Sequence, residues 1–239
     1  MGQFQIKIAG HVATGTHLFD STRHYCAAYL TQEPADISIC VTPEDLEAEQ
    51  ALLLAEALRE KIRPRVFAEP FLERSVIQRK LAETLLPFDI LLLHGSAVAV
   101  NGEGYLFTAD CGTGKSTHTR FWREVFGSQA VMVNDDKPFL KLTEDKVFLC
   151  GTPWSGKHGL DTNITVPLKG ICILRRGAEN RIWRISPEEG LGHLRKQSEH
   201  PESPLTERLS RAVPLWQMEC RKDVSAAKTA YAAMSQHRV

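Results

Sequence analysis

Hydrophobic and polar positions alternate along the chain in short segments that predict both strands and helices. Near the start, IKIAG and DISICV are typical of short strands, and TPEDLEAEQALLLAEALREKI opens with Thr42, Pro43 and early acids, as helices do. The segment FLERSVIQRKLAETLL is amphipathic at helical spacing. A charged, proline-containing run at 59–70 separates them. The pattern predicts a small N-terminal α/β appendage over 1–67 and a core over 68–239, with one continuous domain as the alternative.

The core begins with two apolar runs joined by a turn sequence. DILLLHGSAVAV is too short and too β-branched at its end for a long helix, so it predicts a buried strand. In SAVAVNGEGYLFTA the pair Asn101–Gly102 lies between two apolar runs, which is the strongest short-range signal of a β-hairpin. A hairpin replaces the helical crossover that a simple doubly wound fold would use here. The sequence therefore predicts a mixed β-sheet rather than an all-parallel one.

The remaining chain is rich in short strand-like segments, namely AVMVN, FLKL, KVFLC, KGICILRR, RIWRI and VPLWQMEC. Helical spacing returns in PLTERLSRA and DVSAAKTAYAAM. Together these patterns predict an α/β fold with a mixed β-sheet core.

Composition narrows the classes of partner. Of 239 residues, 43% are hydrophobic and 24% charged, as in ordinary globular proteins, and equal numbers of basic and acidic residues give a net charge of zero. No overall field therefore favours nucleic acid or an anionic membrane. The six cysteines are scattered without a CxxC pair, and no apolar run approaches the roughly 18 residues of a membrane span. We expect a reduced, cytoplasmic protein without a nucleic-acid or membrane partner.

The segment TADCGTGKST at 108–117 carries the clearest chemistry. It matches the phosphate-loop (Walker A) pattern G-x-x-x-x-G-K-[ST], except that Ala109 replaces the first glycine. The apolar segment YLFTA before it is typical of a strand, and STHTRFWREVF after it is typical of a helix. A strand, a glycine-rich loop and a helix in this order form the structural context that a phosphate loop requires.

Each residue type in the loop has a physical reason. Gly112 and Gly114 let backbone N–H groups turn toward phosphate oxygens, and the helix start adds its positive dipole end. Lys115 supplies a mobile charge to the β- and γ-phosphates, while the Ser116 hydroxyl can ligate Mg²⁺. We therefore predict ATP and Mg²⁺ as ligands. The predicted nucleotide-binding residues are Cys111, Gly112, Thr113, Gly114, Lys115, Ser116 and Thr117.

A second polar group follows the strand AVMVN. Asp135 and Asp136 in NDDKP stand where a phosphate-loop protein needs a metal-binding acid. One carboxylate can hold Mg²⁺ through water, and the other could accept a proton from an attacking hydroxyl. Without the loop, NDDKP would be read as a polar turn.

Other candidates have two readings each. His94, at the end of LLL, is either catalytic or structural. Lys157, in TPWSGKHG beside an exposed-looking Trp154, is either a contact to acceptor or phosphate, or part of a plain turn. Arg175 and its neighbour end the segment GICILRR. Arg175 either binds a phosphate or is simply a solvent-exposed charge at the strand end, and the second case is the commoner one. We expect His118 to be an exposed helix residue.

The segments LLLHGSAVAVNGEGYLFTADCGTGKST and VMVNDDKP resemble the catalytic core of HPr kinase/phosphorylase. The loop CGTGKST is also similar to that of ATP-dependent phosphoenolpyruvate carboxykinase, which shares the fold. The resemblance covers about residues 88–185, and CGTPWSGKHGLDTNITVPLKGICIL is similar to small uncharacterised HPr kinase-like proteins. It implies a phosphate-loop core of the HPr kinase/phosphoenolpyruvate carboxykinase type. It does not extend to the N-terminal appendage.

The resemblance also implies individual roles. His94 would lie near the transferred phosphate and Asp135 would be a metal ligand together with Ser116. Asp136 would be the general base. Where the family's pattern suggests an arginine, this chain has Thr162, and it lacks the family's RPGRN-like basic stretch, so HPr itself is not the predicted acceptor.

These observations predict an ATP- and Mg²⁺-dependent kinase that transfers the γ-phosphate to a hydroxyl of a protein, a peptide or a small molecule. The alternative is a nucleotide-binding regulatory switch with little or no transferase activity. Carboxykinase activity is disfavoured because the chain is short and lacks an evident His/Lys metal set. The predicted partners are a nucleotide and a hydroxyl-bearing acceptor. The resemblance also implies that the chain can form a homo-oligomer.

Overall fold

The computed structural model describes residues 2–59 and 63–236, and these form a mixed α/β protein. The chain divides into two compact units, Met1–Thr84 and Leu85–Val239. The division falls beyond the expected boundary at 67/68, because the amphipathic helix that follows this boundary belongs with the N-terminal unit.

The N-terminal unit is a three-stranded sheet with helices. Strands β1 and β2 pair antiparallel, and β2 pairs parallel with β3. Ala9 and Gly10 both have positive φ and join β1 to β2 in a tight turn, so HVATGTH, which the hydrophobic pattern left unassigned, is a strand. The last predicted residues of the second helix, 60–62, lie outside the described residues. The elements are β1 (Gly2–Ile8), β2 (His11–His17), α1 (Asp20–Tyr25), β3 (Ile37–Ile39), α2 (Pro43–Arg59) and α3 (Glu69–Leu85).

The second unit is built on a nine-stranded mixed sheet. Its elements are β4 (Ile90–Leu92), β5 (Ser96–Val100), β6 (Glu103–Thr108), α4 (Lys115–Phe126), β7 (Ala130–Asn134), β8 (Phe139–Leu142), β9 (Val147–Cys150), β10 (Thr165–Arg176), β11 (Arg181–Ile185), α5 (Pro187–Gln197), α6 (Pro204–Ala212), β12 (Leu215–Cys220) and α7 (Val224–Met234). The strand order is β4-β8-β9-β10-β6-β5-β7, with β12 on β10 and β11 on β12. Strand β10 pairs parallel with β6 and with β12, and the other described pairs of this sheet are antiparallel.

The predicted hairpin is present between β5 and β6. Asn101 and Gly102 both adopt positive φ, as a two-residue turn of the primed type requires. The run DILLLHGSAVAV, however, is not one strand, because the chain leaves the sheet after β4 and re-enters it as β5. This break brings His94 and Gly95 out of the sheet beside the end of β7, where the N–H of Gly95 donates to the carbonyl of Asp136.

Side chains from alternate strand positions form two hydrophobic clusters. On β5, Ala97 and Ala99 belong to one cluster, and Val98 and Val100 to the other, so the clusters lie on opposite faces of the sheet. Helices α5 and α6 contribute to the first cluster, and α4 and α7 to the second. The central strands are therefore covered on both sides, which places their polar loops at the strand ends.

In the part of the chain that the structure describes, every helix is too short or too polar to cross a lipid bilayer.

Candidate functional site

The loop between β6 and α4 has the backbone that its glycines predict. Gly112 has φ +73° and Gly114 has φ +121°, values that side-chain-bearing residues rarely adopt. No atom lies within 4 Å of where a Cβ of Gly112 would stand, so the requirement at this position is conformational rather than steric. Gly114 also caps the start of α4, and its carbonyl accepts from the N–H of His118. The loop thus ends directly at a helix N-terminus.

Lys115 lies in the first turn of α4 and folds back along the loop. Its Nζ donates to the carbonyl oxygen of Ala109 at 3.2 Å. Burial lowers the pKa of Lys115, against the opposing charges of Cys111, Asp136 and Asp110 and that of the neighbouring Asp135. The charged form of Lys115 is therefore less stable at this position than it is in water.

The other predicted loop residues are spread around the same turn. Cys111 is exposed, and Ser116 is half-buried with its carbonyl accepting from the hydroxyl of Thr119 at 3.3 Å. Thr113 and Thr117 line a cavity of about 490 Å³ that opens beside the loop. Its complete lining is Gly112, Thr113, Gly114, Thr117, His118, Phe121, Arg176, Gly177, Cys220, Arg221 and Lys222.

Asp135 is held rigidly just after β7. It is buried, and its Oδ1 accepts from the Ser96 hydroxyl at 2.6 Å. The Ser96 hydroxyl also lies 2.7 Å from that of Thr119, one turn of α4 beyond Ser116. A chain of hydroxyl groups therefore links the buried carboxylate to the helix that carries Ser116.

A side-chain turn aims the next residue in a different direction. Oδ1 of Asn134 accepts from the N–H of Asp136 at 2.7 Å and from that of Lys137 at 2.6 Å. The Asn134 amide donates to the carbonyl of Thr152 at 2.8 Å, which ties the turn to the segment after β9. The consecutive acids therefore have separate environments, one buried and one half-exposed.

The Asp136 carboxylate is hydrogen-bonded to His94, whose Nε2 lies 3.0 Å from Oδ1. Burial alone would raise the pKa of Asp136, but the hydrogen bond and charge of His94, with the charges of Lys137 and Lys115, lower it overall. Asp136 is thus an ionised carboxylate at neutral pH. The structure brings His94 and Asp136 close to the loop between β6 and α4, since the charges of His94 and Lys115 both lower the pKa of Asp136.

The segment after β9 closes over this carboxylate. A Cβ at Gly156, whose φ is +68°, would stand 3.2 Å from the Asp136 Cβ. Lys157 follows in the next position and is exposed. Trp154, expected to be exposed, is instead buried at 6% exposure, because this loop folds back on the end of the sheet. Lys157 therefore belongs to a loop that reaches Asp136 through Gly156.

The two arginines at the end of β10 differ. Arg176 donates from Nη2 to the carbonyl of Gly112 and from Nε to that of Thr113, the latter at 3.4 Å. Arg175 is exposed, and its positive charge is one of those that affect the pKa of His193. Alternation along the strand points neighbouring side chains to opposite faces, so only one of the pair reaches the loop.

His118 is not the exposed residue expected from its position after the loop. It is buried at 3% exposure, and its Nε2 accepts from the Trp122 indole N–H at 3.1 Å. Its ring centroid lies 4.5 Å from that of Phe107. Burial lowers the pKa of His118 to about 3, so the ring is neutral. Its role is to pack α4 against β6.

Helix α5 brings two residues to the site that the hydrophobic pattern did not indicate. His193 Nε2 lies 3.3 Å from the Thr108 hydroxyl, and Lys196 Nζ lies 3.4 Å from Oδ1 of Asp110. Burial lowers the pKa of His193. The signal for this helix was present in the capping box formed by Ser186 and Glu189. The hydrophobic pattern did not predict α5 because the helix contains few apolar residues.

Within residues 2–59 and 63–236, no group of three or more His, Cys, Asp or Glu side chains could hold a metal ion by itself. Mg²⁺ is commonly bound by one or two protein oxygens together with substrate phosphates. Ser116 and Asp135 are oxygen donors of the required kind, and the hydroxyl chain joins their surroundings. The residues present fit that mode of binding.

Comparison with protein-family models gives no match for this chain. Comparison with curated proteins gives no match either. Among solved structures, the Hpr(Ser) kinase/phosphatase from Coxiella burnetii is similar, with 12% sequence identity and a TM-score of 0.36. The similarity covers 60% of this chain and 92% of that one. The sequence identity and the TM-score are both low, so this similarity does not define the function of the chain.

Proposed function

We propose that the second unit is an ATP- and Mg²⁺-dependent phosphotransferase of the phosphate-loop type whose acceptor is a hydroxyl group. The observation that carries the proposal is the Asp136 carboxylate, hydrogen-bonded to His94 beside a loop that ends at a helix N-terminus. An anion-binding loop alone needs no such carboxylate. Transfer to a hydroxyl does need one, because the hydroxyl proton must leave as its oxygen bonds to the γ-phosphorus and the bond from that phosphorus to ADP breaks.

The residues divide the work by their environments. Backbone N–H groups of the loop and Lys115 would bind the polyphosphate, and the anion would offset the desolvation that lowers the pKa of this lysine. Ser116 and Asp135 would hold Mg²⁺, which neutralises developing charge on the phosphate oxygens when it is bound. The cavity of about 490 Å³ next to the loop is of a suitable size for the nucleoside.

Asp136 would accept the acceptor's proton. Its lowered pKa keeps it ionised at neutral pH, and the hydrogen bond from His94 fixes the direction of one oxygen. The loop carrying Gly156 and Lys157 lies against this carboxylate and would form the wall of the acceptor site. The acceptor is then a protein, a peptide or a small molecule that presents an alcohol.

The test compares Asp136→Asn with Asp145→Asn, a matched change at an exposed turn residue. Binding of MgATP is measured by calorimetry, and transfer is measured with γ-labelled ATP against a pool of peptides and metabolites. We expect both variants to bind MgATP as the wild type does, and only Asp136→Asn to lose transfer. Normal transfer by Asp136→Asn would refute the role of this carboxylate. Label from the wild type that reaches only water would favour the regulatory switch.

A further inference from the structure

Arg176 lies across the outer side of the phosphate loop. It is the last residue of β10, and β10 runs parallel to β6 with Ile173 opposite Thr108. Both strands therefore end at the same edge of the sheet, and Arg176 extends three positions beyond that pair. The loop leaves β6 at this edge. The topology thus brings a strand-end guanidinium alongside the loop.

The guanidinium contacts two consecutive peptide groups of the loop. Nη2 donates to the carbonyl of Gly112, and Nε donates to the carbonyl of Thr113 at 3.4 Å. An arginine fork can span two acceptors in this way, and a single ammonium is less well suited to it. The hydrogen bonds therefore restrain the orientation of both peptide planes.

This restraint determines where the loop N–H groups point. In a trans peptide the C=O and the following N–H lie in one plane and point in opposite directions. A carbonyl of Thr113 held toward Arg176 therefore turns the N–H of Gly114 away from Arg176. The N–H of Thr113 also points away from Arg176, but it already donates to the carbonyl of Asp110 at 3.2 Å and so closes the turn. Phosphate loops bind oxygens through N–H groups presented on the inner side.

The loop needs such a restraint because of its glycines. Gly112 and Gly114 both have positive φ, and glycine has more backbone conformations to lose than any other residue. A free loop would have to be ordered each time an anion binds, which lowers its affinity. Hydrogen bonds that order the loop before binding reduce this entropic cost.

We propose that Arg176 is a positioning residue that holds the phosphate loop in its anion-binding conformation before any ligand arrives. The proposal rests on the nucleotide site proposed above. It assigns Arg176 to the carbonyl side of the loop rather than to the ligand. Arg176 also lines the cavity of about 490 Å³, so a contact to the nucleoside is the alternative that the experiment must separate.

The experiment uses Arg176→Gln, Arg176→Lys and the control Arg181→Gln. Arg181 is exposed on β11, two strands away at the same end of the sheet, and its replacement removes the same charge. Hydrogen exchange of the peptide covering 109–117 is measured without ligand. Affinities for MgATP, magnesium tripolyphosphate and adenosine are measured by calorimetry, and the melting temperature reports global folding.

We expect the loop amides to exchange faster in ligand-free Arg176→Gln, with exchange elsewhere and the melting temperature nearly unchanged. Affinities for MgATP and tripolyphosphate should fall by the same factor, roughly 5- to 30-fold, while affinity for adenosine is unaffected. Arg176→Lys should remain impaired, since one point charge spans two carbonyls poorly. Arg181→Gln should behave as the wild type.

Three results would overturn the proposal. Unchanged loop exchange in Arg176→Gln would show that the loop keeps its conformation unaided. A loss confined to MgATP, with tripolyphosphate binding intact, would show a nucleoside contact. Full recovery in Arg176→Lys, or an equal loss in Arg181→Gln, would show a general charge effect. If the wild type binds neither MgATP nor tripolyphosphate, the nucleotide site itself is refuted, and this role for Arg176 is refuted with it.

Discussion

Replacing Lys115 by Met tests the proposed phosphate binding by the loop most directly, because it removes the charge and keeps most of the aliphatic stem. In the ligand-free protein, Nζ makes a hydrogen bond of 3.2 Å to the carbonyl of Ala109. The pKa of Lys115 is nevertheless lowered by burial, which means that the surroundings as a whole favour the ammonium less than water does. We therefore expect Lys115→Met to unfold at or above the wild-type temperature without ligand.

With ligand the order should reverse. A charge-assisted contact to phosphate is worth about 1.5–3 kcal/mol, so its loss weakens binding roughly 10- to 150-fold. At a ligand concentration 100 times the wild-type Kd, binding stabilises the wild type by about 2.7 kcal/mol. A variant that binds 100-fold more weakly gains only about 0.4 kcal/mol under the same conditions. For a unit of this size, these values correspond to melting shifts of about 5–11 °C and about 1–2 °C.

The assay is a thermal unfolding series with and without MgATP, followed by calorimetric titration. Lys228→Met is the matched control, because Lys228 is exposed on α7 and does not line the cavity. It should retain the full wild-type shift. The reasoning is refuted if Lys115→Met shifts as far as the wild type does, or if the wild type does not shift at millimolar MgATP. A large destabilisation of ligand-free Lys115→Met would contradict the argument from burial.

Three further predictions concern stability and pH. Because folded His118 has a pKa of about 3 against about 6.5 unfolded, only the unfolded state takes up its proton between these values, and unfolding free energy falls as the pH drops. Relative to His118→Gln, the wild type should lose about 2–3 kcal/mol between pH 7 and 4.5 in urea titrations; parallel pH dependences would contradict this. A Cβ at Gly151 would stand 1.9 Å from a backbone carbonyl oxygen, whereas one at Gly192 meets nothing within 4 Å, so chemical denaturation should show Gly151→Ala destabilised by about 3 kcal/mol and Gly192→Ala stabilised by about 0.5–1 kcal/mol. Finally, the hydrogen bond from His94 lowers the pKa of Asp136, so His94→Asn should move the acidic limb of the kcat/KM profile to higher pH. An acidic limb that does not move would show that His94 does not control the ionisation of Asp136 during the reaction.

Local features of the fold were predictable from the sequence because they depend on neighbouring residues. The Asn101–Gly102 turn adopts positive φ at both positions, as only a few residue types do readily, and the hairpin follows from it. The glycine-rich loop likewise lies between a strand and a helix, as its spacing predicts. Helix α5 was missed because its apolar content is modest, although its capping box was legible in the sequence.

The environment of each candidate side chain depended on the tertiary structure. Asp135 and Asp136 are adjacent in the chain, yet Asp135 is buried against Ser96 and Asp136 pairs with His94. The two side chains point in different directions because the chain turns around the Asn134 side chain where β7 ends. These partners are distant in sequence and meet only through the sheet order.

The same reason separates the loop-facing arginine from its neighbour. Arg175 and Arg176 are equivalent in the sequence, and only the parallel pairing of β10 with β6, together with the alternation of side chains along a strand, brings Arg176 to the carbonyls of the loop. The residue types of the loop could be predicted from the sequence alone, because they are consecutive in the chain. Which acids, histidines and arginines lie beside the loop depended on the tertiary structure, because those contacts join segments that are far apart along the chain.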